Sequence, residues 1–177
     1  MALSNKAIEL LKHYESLHDG KLNEIGIQPK MDPLGIWTIG WGHAVIDPVT
    51  RTKVKGQENY EKAKSLFPGF DLRQAEDLLQ RDMAAFERAV KSVVSISLNE
   101  DQFGAMVVFT YNVGIGALTK STTLRLLNQN NIAGAGDAML AWNKGTLNGV
   151  KVPLKGLTFR RMSERDLLVT GVLKFYN

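Results

Sequence analysis

Glu15 is the first residue whose type and position suggest catalytic chemistry. Residues 5–15 predict a helix, with Ser4 as its N-cap and apolar side chains at helical spacing at Ala7, Ile8, Leu11 and Tyr14. Glu15 lies on the same apolar stripe, where loss of hydration and the negative helix end both favour the uncharged carboxyl. A protonated carboxyl can act as a general acid. A boundary glutamate paired with an arginine fits the same spacing.

A second candidate segment runs from Asp32 to His43. Asp32, followed by a proline and then Gly35, predicts a type I turn. The strand after the turn alternates, with bulky Trp37, Ile39 and Trp41 on one face and Ile36, Thr38, Gly40 and Gly42 on the other. The second face is nearly bare and carries one hydroxyl. It suits the floor of a binding cleft, although tight packing explains the glycines equally well.

The elements around these candidates change character along the chain. Glycines and prolines break residues 22–44 into short apolar runs, which predicts hairpins. Residues 45–70 are polar and rich in lysine, so we expect an excursion over the surface. Asp71 with Gln74 resembles a capping box at the start of a long helix, and Asn99 with Gln102 does the same for a second one.

The remaining chain predicts further, shorter helices. The second long helix should bury Phe103, Met106, Val107 and Tyr111 and stop at Gly114 and Gly116. Later helices begin near Ser121, Ile132 and Thr158, with a glycine-bearing connection at 145–156. The predicted fold class is α+β, a single domain with a β-rich lobe at about 15–70. Residues of about 71–177 and the N-terminal helix form a larger helical lobe, with a cleft between the lobes.

Composition excludes several functional classes. The 177 residues are 44% hydrophobic and 23% charged, as in ordinary globular proteins, and no cysteine is present for a disulfide or a thiolate site. His13, His18 and His43 form no compact ligand set, so we expect neither a metal nor a cofactor. A net charge of +4 without a basic block indicates an anionic polymer rather than nucleic acid.

Membrane insertion and self-export are not expected either. Residues 102–119 carry no charge, but their polar residues and glycines favour a buried helix over a membrane span. Lys6, Glu9 and Lys12 interrupt the apolar stretch that a signal peptide would need.

Several motifs in order resemble the phage lysozymes of glycoside hydrolase family 24. They are 14–17 (YESL), 32–43 (DPLGIWTIGWGH), 99–105 (NEDQFGA), 111–114 (YNVG), 121–125 (STTLR), 141–144 (AWNK) and 156–161 (GLTFRR). The resemblance covers almost the whole chain and implies a lysozyme-like fold. It also implies hydrolysis of the β-1,4 bond between N-acetylmuramic acid and N-acetylglucosamine in peptidoglycan.

The resemblance assigns the catalytic roles to Glu15, Asp32 and Thr38. Glu15 would be the general acid, and Asp32 with the Thr38 hydroxyl would hold the attacking water, with inversion at the sugar. Asp32 lies 17 positions after Glu15, farther than the family usually places its second residue, and Glu24 lies at the usual interval. We prefer Asp32 for its spacing to Thr38 and its sequence context; Glu24 competes with it, and Asp19 is a weaker alternative.

The resemblance also implies supporting residues. Five positions fall where the family lines its saccharide groove, and they are Tyr111, Asn112, Ser121, Thr122 and Thr123. For Tyr111 itself, packing in the core is the stronger reading. Arg160 or Arg161 would pair with the catalytic glutamate, which favours the ionised carboxyl and so opposes the effect of burial.

The sequence therefore predicts a monomeric endolysin that degrades peptidoglycan and lyses the host. It would stay in the host cytoplasm until a separate holin opens the membrane. One alternative is a lytic transglycosylase on a similar fold, which needs the glutamate but not the aspartate. A non-catalytic wall-binding virion protein would need neither, so Asp32 and Thr38 argue for hydrolysis.

Overall fold

Two compact units make up the chain, as described by a computed structural model. The description covers residues 3–15, 26–32, 34–147 and 149–177, without the side chain of residue 147. One unit comprises Met1–Tyr14 and Met83–Asn177, and the other comprises Glu15–Asp82. The sequence-based boundary near residue 70 thus differs from the division at residue 82, which falls inside a continuous helix. Within the described ranges, no helix is both long and apolar enough to cross a membrane.

Eight α-helices, one short 3-10 helix (Gln57–Asn59) and five strands form the described part of the fold, which is α+β as predicted. In chain order the α-helices and strands are α1 (Asn5–Glu15), β1 (Lys30–Met31), β2 (Trp37–Ile39), β3 (His43–Ala44), α2 (Tyr60–Ser65), α3 (Leu72–Val93), α4 (Glu100–Val113), α5 (Ile115–Leu118), α6 (Thr122–Asn128), α7 (Ile132–Met139), β4 (Lys144–Leu147), β5 (Val150–Pro153) and α8 (Lys155–Thr170).

Local capping chemistry sets the starts of the two long helices where the sequence predicts them. The Asn99 side chain accepts from the Gln102 amide, and the Gln102 side chain accepts from the Asn99 amide, which completes a capping box. Asp71 and Gln74 exchange the same pair of bonds before α3. Both helix starts are therefore confirmed.

The core of the larger unit is built on α4. All residues from Phe103 to Thr110 are buried, which explains why this stretch carries no charge. Gly104 allows α1 to approach closely, because a Cβ atom at this position would lie 2.5 Å from the Ala7 Cβ. Tyr111 departs from the prediction of burial and is only half-buried, because it lies past the buried stretch. Gly116, predicted as part of the helix stop, lies within α5.

In the second unit, β1, β2 and β3 form an antiparallel sheet with β2 at its centre. All three residues of β2 are buried. Thr38 is opposite Lys30 on one side and opposite Ala44 on the other. The hairpins predicted from the broken apolar runs are confirmed for the described part of this region.

Two connections are more ordered than the sequence analysis predicts. Residues 45–70 are not only a surface excursion: they contain α2, and isolated bridges join Ile36 to Lys55 and Ile46 to Lys53. Residues 145–156 are not a simple loop either, because β4 and β5 pair and α8 begins at Lys155, before Thr158. The sequence does carry a signal for that hairpin, the Asn-Gly dipeptide at 148–149, which favours a two-residue hairpin turn.

Candidate active site

Asp32 is held in the hairpin turn that connects β1 to β2. Its amide donates to the Ile36 carbonyl at 2.8 Å, and the Gly35 amide donates to the Asp32 carbonyl at 3.0 Å. Gly35 has a φ of 74°, in the left-handed region that glycine tolerates. The Asp32 Oδ1 atom accepts from the Leu34 and Ile36 amides at 2.8 and 2.9 Å. Both of these bonds fall on the same carboxylate oxygen, Oδ1.

Thr38 lies on the same hairpin, in the middle of the three-stranded sheet. Its side chain is 5% exposed, and its Oγ1 donates to the Lys30 carbonyl oxygen at 3.0 Å. The hydroxyl has only one proton, so this bond leaves its lone pairs as acceptors. Such a group can accept a hydrogen bond from water and orient it.

Glu15 is the last residue of α1 and is half-buried. The residue before it, Tyr14, is anchored in the larger unit, since its hydroxyl lies 2.8 Å from the Ser163 Oγ. The predicted helix and its end are therefore confirmed. The catalytic role of Glu15 stays a prediction, as do those of Asp32 and Thr38. The competing residues Glu24 and Asp19 lie outside the described residues.

Arg160 and Arg161 are buried on α8, where both bond to a residue that the sequence analysis missed. Arg160 Nε and Arg161 Nη2 donate to the Glu164 Oε1 at 2.9 and 2.8 Å. Glu164 is fully buried, and burial raises the pKa of its carboxyl, while the two guanidinium groups oppose that rise. The spacing of three and four residues on one helix was a usable signal for this cluster. The pairing of an arginine with Glu15 stays a prediction.

The Arg161 guanidinium also contacts the aromatic core of the larger unit. Its central carbon lies 5.1 Å from the centre of the Phe109 ring, and that ring meets the Trp142 ring edge-on at 5.9 Å. A planar cation stacked on an aromatic face keeps one orientation. Trp142 is part of this packing.

The predicted saccharide-binding residues differ in their surroundings. Asn112 and Thr122 are exposed, whereas Thr123 is completely buried. The Ser121 hydroxyl caps α6 by accepting from the Leu124 amide at 3.0 Å. The Tyr111 ring packs 5.0 Å from the Phe86 ring. Thus Asn112 and Thr122 are open to solvent, while the Ser121 hydroxyl already holds the start of a helix.

His43 and Asp82 form a hydrogen bond that the sequence analysis did not predict. His43 Nδ1 lies 2.9 Å from an Asp82 carboxylate oxygen, and both side chains are about one-quarter exposed. This bond links the end of the sheet to α3 within one unit. In the part of the chain that the structure describes, no group of three acidic or histidine side chains is arranged to hold a metal ion.

Comparison with known proteins gives the family. The phage lysozyme family profile matches residues 23–164. The chain is 34% identical over 174 residues to the endolysin of Bacillus phage B103, a match that covers 98% of this chain and 56% of that protein. It is 32% identical over 156 residues to the SAR-endolysin of bacteriophage PS119, which covers 87% of this chain and 80% of that protein.

A solved structure agrees with this result. The endolysin from Escherichia coli O157:H7 phage FAHEc1 superimposes with a TM-score of 0.79 at 33% identity, and 98% of this chain and 97% of that one are covered. The chain spans about half the length of the B103 relative but nearly all of this structure. The family profile extends over most of the sequence, and the solved endolysin structure matches 98% of this chain. The chain therefore belongs to the phage lysozyme family, and its fold is lysozyme-like.

Proposed function

We propose that the chain is a phage endolysin that hydrolyses the β-1,4 bond between N-acetylmuramic acid and N-acetylglucosamine in peptidoglycan. The observation that carries this proposal is the hairpin on which Asp32 and Thr38 lie. On this hairpin the Asp32 carboxylate is fixed through its Oδ1 atom. The Thr38 hydroxyl, on the same hairpin, donates its proton to the Lys30 carbonyl, so its oxygen can accept a hydrogen bond. The family match and the endolysin relatives support the same activity.

In this mechanism Glu15 donates a proton to the glycosidic oxygen of the leaving sugar. Asp32 accepts a proton from the attacking water, and the Thr38 hydroxyl accepts the water's second hydrogen bond. The water attacks the face of the sugar opposite the leaving group, so the configuration at the anomeric carbon inverts. Asn112 and Thr122 bind hydroxyl and N-acetyl groups of the glycan.

The decisive experiment compares single amide replacements on purified peptidoglycan. Glu15→Gln should abolish the release of reducing ends while the circular dichroism spectrum stays that of the wild type, since the amide has nearly the same shape but no acidic proton. Asp32→Asn and Glu24→Gln are then assayed side by side. Activity lost only in the Glu24 variant would mean that Asp32 is not the second catalytic residue.

Product analysis separates hydrolysis from the alternatives. Mass spectrometry of the released muropeptides should show reducing N-acetylmuramic acid ends. Anhydro ends would identify a transglycosylase, and binding without release of either product would identify a wall-binding protein. Proton NMR of the first product formed should show the inverted anomer.

The route to the wall and the oligomeric state complete the proposal. The enzyme acts as a monomer that stays in the host cytoplasm until a holin opens the membrane. Expression with and without a co-expressed holin tests this release route, and culture turbidity measures lysis. Lysis without the holin would instead indicate an export route of its own, and the matched PS119 relative is named a SAR-endolysin.

A further inference from the structure

The turn that carries Asp32 is braced from outside by a segment distant in sequence. The Trp37 amide donates to the Val54 carbonyl at 3.0 Å, and the Gly56 amide donates to the Gly35 carbonyl, also at 3.0 Å. An antiparallel bridge pairs Ile36 with Lys55 between these bonds. Residues 54–56 therefore run alongside residues 35–37, and we call them the brace.

One side chain connects the sheet to the brace. The indole Nε1 of Trp37 donates to the Gly56 carbonyl oxygen at 2.7 Å, and the Trp37 side chain is only 4% exposed. The indole nitrogen can only donate a hydrogen bond. The Gly56 carbonyl thus accepts from the Trp37 indole, and the Gly56 amide donates to the Gly35 carbonyl in the turn. The indole therefore fixes the position of the residue that bonds to the turn.

The backbone conformation of the brace also requires a glycine at position 56. Gly56 has a φ of 80°, and a Cβ atom there would lie 2.3 Å from a Glu58 carboxylate oxygen. The Tyr60 ring, four positions after Gly56, packs 5.1 Å from the Trp37 ring. Trp37 therefore contacts the brace through the Gly56 carbonyl, and it contacts the start of α2 through the Tyr60 ring.

We propose that Trp37 is a positioning residue for the reaction, acting through Gly56 and the turn to keep the Asp32 carboxylate in place. This inference rests on the proposed function, in which Asp32 activates the water. The path is short: the Trp37 indole bonds the Gly56 carbonyl, the Gly56 amide bonds the Gly35 carbonyl, and the Gly35 amide bonds the Asp32 carbonyl. A small misplacement of a catalytic group lowers turnover far more than it weakens substrate binding.

The test removes the indole donor and keeps the packing. Trp37→Phe keeps an aromatic ring, and 3-benzothienylalanine at position 37 keeps the shape of the indole with sulfur in place of N–H. Val108→Ala in α4 is the control for a general loss of stability, because Val108 is buried and belongs to the other unit. All variants are assayed on soluble glycan strands well below their unfolding temperatures.

We expect both Trp37 variants to lower kcat roughly ten-fold, with KM changed less than about two-fold. The Val108→Ala variant should keep both constants. Hydrogen exchange measured by NMR should become faster at the Leu34 and Ile36 amides, which hold the Asp32 carboxylate, and stay unchanged in α8. If Trp37 only stabilised the fold, its replacement would not lower kcat while leaving KM nearly unchanged.

Two results would overturn the inference. One is a kcat in both Trp37 variants equal to that of Val108→Ala, and the other is unchanged exchange at the Leu34 and Ile36 amides. Asp32→Asn is measured in parallel. Wild-type kcat in that variant would refute the proposed role of Asp32 instead, while the exchange rates still report whether Trp37 holds the turn.

Discussion

The Thr38 hydroxyl donates to the Lys30 carbonyl oxygen across the β1–β2 pair, at a distance of 3.0 Å. This bond fixes the side chain and commits its only proton to the sheet. The remaining lone pairs can only accept. A threonine in this position suits the orientation of a water whose other proton goes to a carboxylate.

Replacement of Thr38 by valine should therefore lower activity and stability together. Valine has the same shape but cannot accept from water, and it removes the hydrogen bond that the Thr38 hydroxyl donates to the Lys30 carbonyl. We expect kcat to fall about ten-fold or more, and the free energy of unfolding to fall by about 1–3 kcal/mol. Steady-state kinetics and urea denaturation measure the two effects. Thr38→Ser keeps the hydroxyl and should restore most of the activity; a fully active valine variant would contradict the assignment.

Ser121 and Thr122, neighbours in the predicted saccharide groove, should respond differently to alanine. Ser121 caps α6, so its loss should cost about 1 kcal/mol of stability with little change in KM. Thr122 is exposed, so its alanine variant should keep its stability within about 0.5 kcal/mol and raise KM for the glycan. Thermal unfolding and kinetics on soluble glycan strands distinguish the two. If KM rose in the Ser121 variant alone, Ser121 rather than Thr122 would be the residue that binds the glycan.

Gly104→Ala should destabilise the larger unit by crowding α1 against α4. The added methyl would lie 2.5 Å from the Ala7 Cβ, and neither helix backbone can yield without disturbing the buried core. We expect a loss of about 1–3 kcal/mol, measured by denaturant titration. Gly156→Ala in α8 is the matched control, because nothing lies within 4 Å of its added methyl. That variant should be neutral or slightly more stable. Equal effects at the two positions would show that close packing is not the cause.

Asp47 should make stability depend on pH in the acid range. Its side chain is 7% exposed and accepts from the Lys62 ammonium and from the Val49 amide. These bonds hold the pKa of the Asp47 carboxyl well below its usual range. The folded-state pKa is lower than the unfolded-state pKa, so the stabilisation is complete above the unfolded value of about 4. It is lost as the pH falls toward the folded value.

Asp47→Asn isolates the charge, since the amide oxygen can still accept from Val49. The variant should be less stable than the wild type at pH 7, and the difference should shrink below about pH 4. Urea midpoints at neutral and acidic pH measure it. A difference that stays constant or grows in acid would refute the ion pair as its source.

The sequence alone predicted those features that depend on neighbouring residues. The starts of α3 and α4 follow from capping boxes, in which the bonded groups lie three residues apart. The Asp32 turn follows from an aspartate and a glycine three residues apart. The Arg160 and Arg161 pairing with Glu164 was missed, although its helical spacing was also visible.

Only the tertiary structure determined the contacts between distant segments. The Gly56 carbonyl meets the indole of Trp37 across 19 positions, and the Tyr14 hydroxyl meets the Ser163 hydroxyl across 149. Nothing local marks residues 54–56 as the partner of residues 35–37, because a strand edge accepts any backbone of suitable direction and the choice depends on how the rest of the chain packs. The catalytic roles of Glu15, Asp32 and Thr38 are therefore predictions from the sequence, whereas the bonds that hold Asp32 and Thr38 in place exist only once the chain has folded.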